Sequence, residues 1–150
     1  MADVHDKPTR SRNMAAVGAT NTKPEVFVRK LLHRAGFRFL LHDKRLPGRP
    51  DLVFPRYKAA IFVHGCFWHG HKCHLFKAPK TRPDFWASKI ESNRKRDAVA
   101  HKALRDAGWR VAEIWECSLK GKSRLSLISL LDATSDWLRG DKSFLTVSGE

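Results

Sequence analysis

The chain has 150 residues, enough for one domain with a sizeable core and too few for two ordinary domains. Its 29 Lys and Arg residues outnumber the 15 Asp and Glu residues, and the net charge of +14 suits a partner with dense negative charge, nucleic acid above all. The longest run of aliphatic or aromatic residues, 59–63, is far shorter than the roughly 20 residues of a membrane span, so a membrane protein is excluded. The N-terminus has no apolar stretch typical of a signal peptide, which predicts a cytoplasmic protein whose three cysteines are thiols or metal ligands.

The first half of the chain predicts an arm, a helix and three strands. Residues 1–21 are polar and basic and predict a flexible arm that becomes ordered on a partner. The tetrapeptide TKPE at 22–25 has the spacing of a capping box and predicts a helix that runs to about Gly36. Strands are predicted over 37–41, 51–54 and 59–63.

The second half predicts a long loop over 64–83, then a helix that begins at Thr81 or Pro83 and ends at Ala107 and Gly108. The remaining predicted segments are a strand over 109–116, a helix over 123–138 and a flexible tail over 141–150. This order of elements favours one α/β domain over residues 22–140, with a central mixed β-sheet flanked by helices.

Asp51 begins one predicted strand, and the next predicted strand ends at Val63. Hairpin pairing of the two strands would bring this carboxylate close to a main-chain carbonyl. Oxygen ligands of this kind suit Mg²⁺, which could drive phosphodiester hydrolysis. An equally simple interpretation is that Asp51 only caps the turn after Pro50.

The segment HGCFWHGHKCH at 64–74 holds four of the eight histidines, any of which could act as a general base near neutral pH. His71 and Cys73 are also plausible zinc ligands, but a zinc site needs two more ligands from elsewhere. The candidates for those positions are Cys117 and either Asp97 or His101. The alternative is a set of surface histidines and buried thiols without a metal.

Phe67 and Trp68 are two large aromatic residues in the same predicted loop. Aromatic side chains among basic residues can stack on nucleic-acid bases or wedge between them. A loop that buries both rings under the sheet would explain them equally well. Trp86, near the start of the next predicted helix, fits either arrangement.

The strings GRPDLVF, FVHGCFWHGHKC and WRVAEIWEC, together with the predicted helix between the last two, resemble the very-short-patch repair (Vsr) endonucleases, bacterial enzymes that nick DNA at T:G mismatches. The resemblance covers nearly the whole chain and is weakest over 20–24 and beyond Leu138. It implies a fold similar to the type II restriction endonucleases, as a divergent PD…(D/E)xK nuclease, with catalytic magnesium and structural zinc.

The resemblance implies roles for the residues of the proposed catalytic group. Asp51 would bind magnesium through its carboxylate and Val63 through its main-chain carbonyl, at a position where family members carry Thr. His69 would be the general base, His64 a helper near the attacking water or the scissile phosphate, and Glu25 a supporting acid that also fits the capping box.

The resemblance also implies a zinc site and a DNA-binding surface. The implied zinc ligands are His71, Cys73, Asp97 and Cys117, which leaves Cys66 dispensable for zinc. The implied DNA contacts are a wedge of Phe67, Trp68 and Trp86 beside the mismatch, Met14 entering from the minor groove, and Lys89 and Asn93 at the mismatched pair. Residues 1–21 would then be a DNA-binding arm.

The function implied is strand-specific nicking on the 5′ side of a thymine that is mispaired with guanine after deamination of 5-methylcytosine. The implied setting is the bacterial cytoplasm, at the nucleoid, for a monomer with no membrane partner. Besides mismatched double-stranded DNA, a MutL-type repair factor and a repair DNA polymerase are candidate partners. Two alternatives stay open at this point: a restriction-like endonuclease that cuts intact duplex, and a zinc-stabilised DNA-binding module without catalysis.

Overall fold

The computed structural model describes residues 21–149, so Met14 and the predicted arm, apart from its last residue Asn21, lie outside the described residues. Within these residues, a mixed five-stranded sheet is flanked by three α-helices. The helices are α1 (Lys23–Arg34), α2 (Pro83–Asp106) and α3 (Leu127–Arg139). The strands are β1 (Leu40–Leu41), β2 (Leu52–Phe54), β3 (Ala59–His64), β4 (Arg110–Trp115) and β5 (Phe144–Val147). The predicted fold class is confirmed as an α/β domain with a mixed sheet.

The strands lie side by side in chain order. Strands β1, β2 and β3 are antiparallel neighbours, whereas β3, β4 and β5 are parallel. Parallel neighbours need a crossover connection, and α2 and α3 supply the two that are required. The carboxyl end of β3 therefore lies beside the start of β2 on one side and the carboxyl end of β4 on the other.

Strand β3 is covered on both faces, which explains its unbroken apolar sequence. Ile61 packs with Leu32 of α1 and Leu138 of α3 in the larger apolar core. Phe62 points the other way and packs with Leu104 of α2 in a smaller core. Successive side chains of a strand alternate between its faces, so β3 joins both helical layers to one sheet.

The first helix begins as predicted. The hydroxyl of Thr22 accepts a hydrogen bond from the Glu25 N–H at 3.4 Å, and Pro24 occupies the first turn, where its missing N–H costs nothing. The second helix ends at Asp106, and Gly108 adopts φ +87°, the left-handed conformation that favours glycine after a helix.

Two predicted segments differ from the structure. The expected flexible tail over 141–150 contains β5, which extends the sheet by parallel pairing of Val111 with Phe144 and of Ile114 with Val147. The predicted strand over 37–41 is reduced to Leu40–Leu41, because the Phe37 N–H donates to the Leu32 carbonyl at 3.1 Å and so still belongs to the end of α1. Among the described residues, no helix combines the length and apolar character needed to cross a bilayer.

Candidate active site and metal centre

The hairpin of β2 and β3 places Asp51 beside Val63. Leu52 is opposite Ile61 in the antiparallel register, so Asp51, the residue before β2, lies beside the last residues of β3. The Oδ2 atom of Asp51 accepts a hydrogen bond from the Val63 N–H at 2.7 Å. The N–H and C=O groups of a strand residue lie on the same edge, so the Val63 carbonyl also belongs to the Asp51 side of β3.

Glu25 of α1 lies against this hairpin and is almost completely buried, at 1% exposure. Its Oε2 atom accepts from the Arg29 guanidinium at 3.1 Å and contacts Nε2 of His42 at 2.8 Å. Its Oε1 atom accepts from the Asn21 N–H at 3.2 Å. Glu25 therefore serves the start of the helix and also contributes to a buried polar group behind Asp51.

His42 is a member of this group that the sequence reasoning missed. Ligand atoms of Glu25, His42 and Asp51 lie within 4.8 Å of one another. The His42 N–H also donates to the Asp51 carbonyl at 3.2 Å, as the β1–β2 turn begins. Only the short pairing of β1 with β2 brings His42 here, and no spacing motif in the sequence reveals that pairing.

The environment of Asp51 disfavours the ionised form of its carboxyl group. Burial raises its pKa to about 8; the hydrogen bond from Val63 opposes this shift, and the neighbouring Glu25 carboxylate adds to it. A divalent cation at the Asp51 carboxylate would offset both its burial and its repulsion by Glu25. The oxygen donors present therefore fit a hard cation such as Mg²⁺.

Three more polar side chains lie on the α2 side of the same sheet edge. The Nδ1 atom of His69 is hydrogen-bonded to the carboxylate of Asp97, which lies on α2. The ring of His64 at the end of β3 lies 4.2 Å from that of His69, centroid to centroid, and 4.9 Å from that of Trp115. Ligand atoms of His64, His69 and Asp97 also lie within 4.8 Å of one another.

The environment separates the charge states of this group. Burial, reinforced by the neighbouring imidazole of His69, lowers the pKa of His64 to about 4, so the His64 imidazole is neutral near pH 7. Burial tends to raise the pKa of Asp97, but the hydrogen bond to His69 and the proximity of His64 hold it below its ordinary value. Asp97 is therefore an ionised partner for His69, which suits a histidine that must take up a proton.

Three of the four expected zinc ligands come together, but Asp97 is not among them. The cluster consists of Cys66, His71, Cys73 and Cys117, whose ligand atoms lie within 4.8 Å of one another. The sequence predicted Asp97 as the fourth ligand and Cys66 as dispensable for zinc. The structure instead places Cys66 in the cluster, whereas Asp97 is hydrogen-bonded to His69.

The distances in this cluster match tetrahedral coordination. The Nδ1 atom of His71 lies 3.7 Å from Sγ of Cys66 and 3.6 Å from Sγ of Cys117. Ligands bound to one zinc at the usual lengths and angle would be separated by about 3.6 Å between sulfur and nitrogen. Three thiol ligands and one imidazole are a common donor set of structural zinc sites, so the residues fit this metal.

The elements around the cluster hold its ligands in place. The ring of His71 stacks on that of Trp115, 4.2 Å away at an angle of 12°. The His71 N–H donates to the Cys66 carbonyl at 2.9 Å, which closes the tight turn of the loop. The Gly149 N–H donates to Sγ of Cys117 at 3.2 Å, so the chain after β5 returns to the cluster.

The expected wedge residues form a separate aromatic cluster between the loop and the start of α2. Trp86 lies 5.4 Å from Phe67 and 5.7 Å from Trp68, measured between ring centroids. Trp68 remains 44% exposed. Neither Phe67 nor Trp68 belongs to the apolar cores of the sheet, so the interpretation that the loop buries them there is not supported.

Two further rings and one expected DNA contact join this surface. Phe76 lies 6.1 Å from Phe67, and Phe85, 46% exposed, lies 5.2 Å from Trp86; the sequence reasoning missed both. The side-chain amide of Asn93 donates to the Trp68 carbonyl at 2.8 Å, and Lys89 is exposed one helical turn away. We call the rings Phe67, Phe76, Trp68, Phe85 and Trp86 the aromatic surface.

Comparison with known proteins identifies the relatives of this chain. Residues 2–75 match the family described as DNA mismatch endonuclease Vsr. The DNA mismatch endonuclease Vsr of Escherichia coli is 46% identical over 94% of this chain and 90% of its own length. The type II nicking enzyme V.XorIIP of Xanthomonas oryzae is 51% identical over 83% of this chain and 94% of its own length. The type II nicking enzyme V.NmeAIP of Neisseria meningitidis is 44% identical over 82% and 88%, respectively.

Proposed function

Since the chain belongs to the DNA mismatch endonuclease Vsr family, we propose that it nicks one DNA strand on the 5′ side of a thymine mispaired with guanine. Such thymines arise when 5-methylcytosine loses its amino group, and the nick would begin short-patch repair. The observation that carries the proposal is the meeting of two polar groups at one end of β3, around Asp51 and around His69, beside the exposed rings of the aromatic surface.

In this proposal Mg²⁺ is held by the carboxylate of Asp51 and the main-chain carbonyl of Val63. When bound, the ion supplies positive charge that stabilises the transition state of phosphodiester hydrolysis. The valine at position 63 is compatible with this role, because only its carbonyl is required. Glu25 supports the site by adding negative charge beside Asp51, and Arg29 and His42 keep its carboxylate in place.

His69 is the proposed general base. It would accept a proton from the attacking water at Nε2, because its Nδ1 is engaged by the carboxylate of Asp97. Asp97 is thus a positioning residue that fixes the orientation of the ring and stabilises the imidazolium once it forms. His64, neutral and next to His69, would contact the water or the scissile phosphate.

The aromatic surface is proposed to recognise the mismatch. A wobble pair stacks less well than a regular pair, so insertion of rings beside it costs less free energy than at an intact step. Trp68 is the most exposed of the expected wedge residues, and Phe67 and Trp86 support it from below. Lys89 and Asn93 would contact the mismatched pair, and Met14 would approach from the minor groove.

Zinc has a structural role in this proposal, with Cys66, His71, Cys73 and Cys117 as ligands. The site would fix the loop between β3 and α2, which carries both His69 and the wedge. A structural zinc site contributes directly to the stability of a segment with little apolar core of its own.

Cleavage of two synthetic duplexes that differ only in having a T:G or a T:A pair tests the proposed function. We expect nicking of T:G duplex in Mg²⁺, loss of nicking in Mg²⁺-free buffer, and little cleavage of the T:A duplex of the same sequence. Cutting of both strands of the T:A duplex would instead support a restriction-like enzyme. Binding without cleavage under every metal condition would support a zinc-stabilised DNA-binding module.

A further inference from the structure

A second group of metal-ligating side chains lies behind the proposed catalytic histidines. His101 of α2 contacts Glu113 of β4, with 3.0 Å between Nδ1 and Oε1. The ring of His64 lies 6.1 Å from that of His101, and the two planes are inclined by only 27°. Ligand atoms of the three residues lie within 4.8 Å of one another. We call them the inner triad.

Both imidazoles of the inner triad have an unused nitrogen. His64 is 5% exposed and His101 is 6% exposed, and the Nε2 atom of each is buried without a hydrogen-bond partner among the described residues. Buried polar atoms are nearly always paired, and two such atoms on neighbouring imidazoles, one of which contacts the Glu113 carboxylate through its other nitrogen, need an explanation. Packing alone does not supply one, because an apolar side chain would fill this space without the unpaired nitrogens.

Two members of the inner triad, His101 and Glu113, line a cavity that opens to solvent. A cavity of about 520 Å³ is lined by His101 and Glu113 together with Asp97, Trp115 and Phe144. An ion can therefore reach His101 and Glu113 without unfolding of the sheet, and a ligand atom of His64 lies within 4.8 Å of theirs. Arg94 and Arg105 also line the cavity, but both are exposed residues, so water screens their positive charge. The carboxylate of Glu113 is only 17% exposed.

We propose that His64, His101 and Glu113 form a binding site for a divalent transition ion of the zinc class. Two imidazoles and one carboxylate are donors that suit Zn²⁺, whereas Mg²⁺ prefers oxygen ligands alone. The site is separate from the cysteine cluster and from the proposed magnesium site. The proposal rests on the proposed function in one respect: an ion on His64 withdraws that imidazole from the reaction, so zinc at this site slows nicking.

Calorimetric titration of the purified full chain with Zn²⁺, in Mg²⁺-free buffer, measures the site directly. We expect one more equivalent of bound zinc in the wild type than in His101→Leu, and at least tenfold weaker binding of that equivalent in Glu113→Gln. Glu113→Gln keeps the shape of the side chain and so remains informative if His101→Leu does not fold. His33→Ala, which removes an exposed histidine of α1, is the matched control and should bind as the wild type does.

The outcomes decide the proposal separately from the proposed function. Equal zinc stoichiometry and affinity in the wild type and both triad variants would overturn it. Nicking measured in the same zinc series should fall in the wild type and persist in Glu113→Gln. Zinc inhibition that is equally strong in both would remove His64 from the site. If no protein nicks T:G duplex in zinc-free Mg²⁺ buffer, the proposed function fails, whereas the difference in zinc stoichiometry still decides the inner triad.

Discussion

The carboxylate of Asp51 accepts a hydrogen bond from the main-chain N–H of Val63, twelve positions further along the chain, at 2.7 Å. The separation is set by the antiparallel register of β2 and β3, in which Leu52 is opposite Ile61. The paired strands thereby hold the Asp51 carboxylate against the end of β3. The precision of the proposed magnesium site thus comes from the sheet, not from a flexible loop.

We expect Asp51→Asn to reduce nicking of T:G duplex by about two to three orders of magnitude, similar to the loss of one preorganised electrostatic group. Binding of the duplex should remain or become tighter, because the change removes a negative charge that repels the DNA phosphates. Nicking rate and gel-shift affinity are measured on the same protein. Asp106→Asn, at an exposed position of α2, is the control. Near wild-type nicking by Asp51→Asn would refute the assignment.

The pH dependence of metal binding should follow from the raised pKa of Asp51. In the absence of the ion this carboxyl is protonated below about pH 8, so Mg²⁺ must displace a proton there. We expect the Mg²⁺ concentration for half-maximal nicking to rise by up to about tenfold per unit as the pH is lowered from 8 to 6. Titrations at three pH values measure it. A half-maximal concentration independent of pH would contradict the protonation of Asp51.

The same group should affect stability in Mg²⁺-free buffer, where stability should fall, and not rise, with increasing pH. Its folded pKa is raised above the unfolded value of 3.8, so the fold favours the protonated form. The stabilisation is therefore complete below about pH 4 and is lost as the pH rises toward 8, by at most about 1.4 kcal/mol per unit. Denaturant unfolding of the wild type and Asp51→Asn isolates the contribution, since the amide cannot titrate. Equal slopes for the two proteins across this range would contradict it.

Cys66 and Asp97 can be separated in one experiment, because the structure exchanges the positions expected from the sequence. We expect Cys66→Ser to lose bound zinc and several kcal/mol of stability, since three ligands remain. Asp97→Asn should retain about one zinc per chain but nick at least tenfold more slowly, because His69 loses its charged partner. Elemental analysis and nicking assays on both variants measure this. Zinc loss in Asp97→Asn with zinc retained in Cys66→Ser would restore the expected ligand set.

Local signals in the sequence predicted most of the fold. The cap at Thr22, the apolar run of β3 and the glycine after α2 each act within a few residues, and each is in its expected place. Strand β5 was missed because it is short and because its stability depends on pairing with β4, more than thirty positions earlier. Such non-local pairing leaves little trace in the pattern of a single strand.

The sequence predicted which local segment carries the candidate site, but not which side chains in it face one another. Residues next to one another in HGCFWHGHKC were expected to act together, but the turn of this loop decides which side chain faces which partner. The turn directs Cys66 toward His71 and Cys117, and it directs His69 toward Asp97. His42 and Glu113 join the polar groups through strand pairing, so no local motif predicts either residue.

The aromatic surface separates recognition from folding at the level of single rings. Trp68 is 44% exposed, so Trp68→Ala should change the melting temperature little and weaken binding of T:G duplex by about 1–3 kcal/mol, the usual loss of one stacking ring. Phe67 is more enclosed, between Phe76 and Trp86, and its replacement by Ala should lower both stability and affinity.

Phe27→Ala, which removes a ring of 39% exposure from α1, is the matched control and should leave mismatch affinity unchanged. Melting curves and affinities for T:G and T:A duplexes are measured on all three. Unchanged preference for the mismatch in Trp68→Ala, with a large fall in its melting temperature, would make the ring a structural one and assign recognition to Lys89 and Asn93.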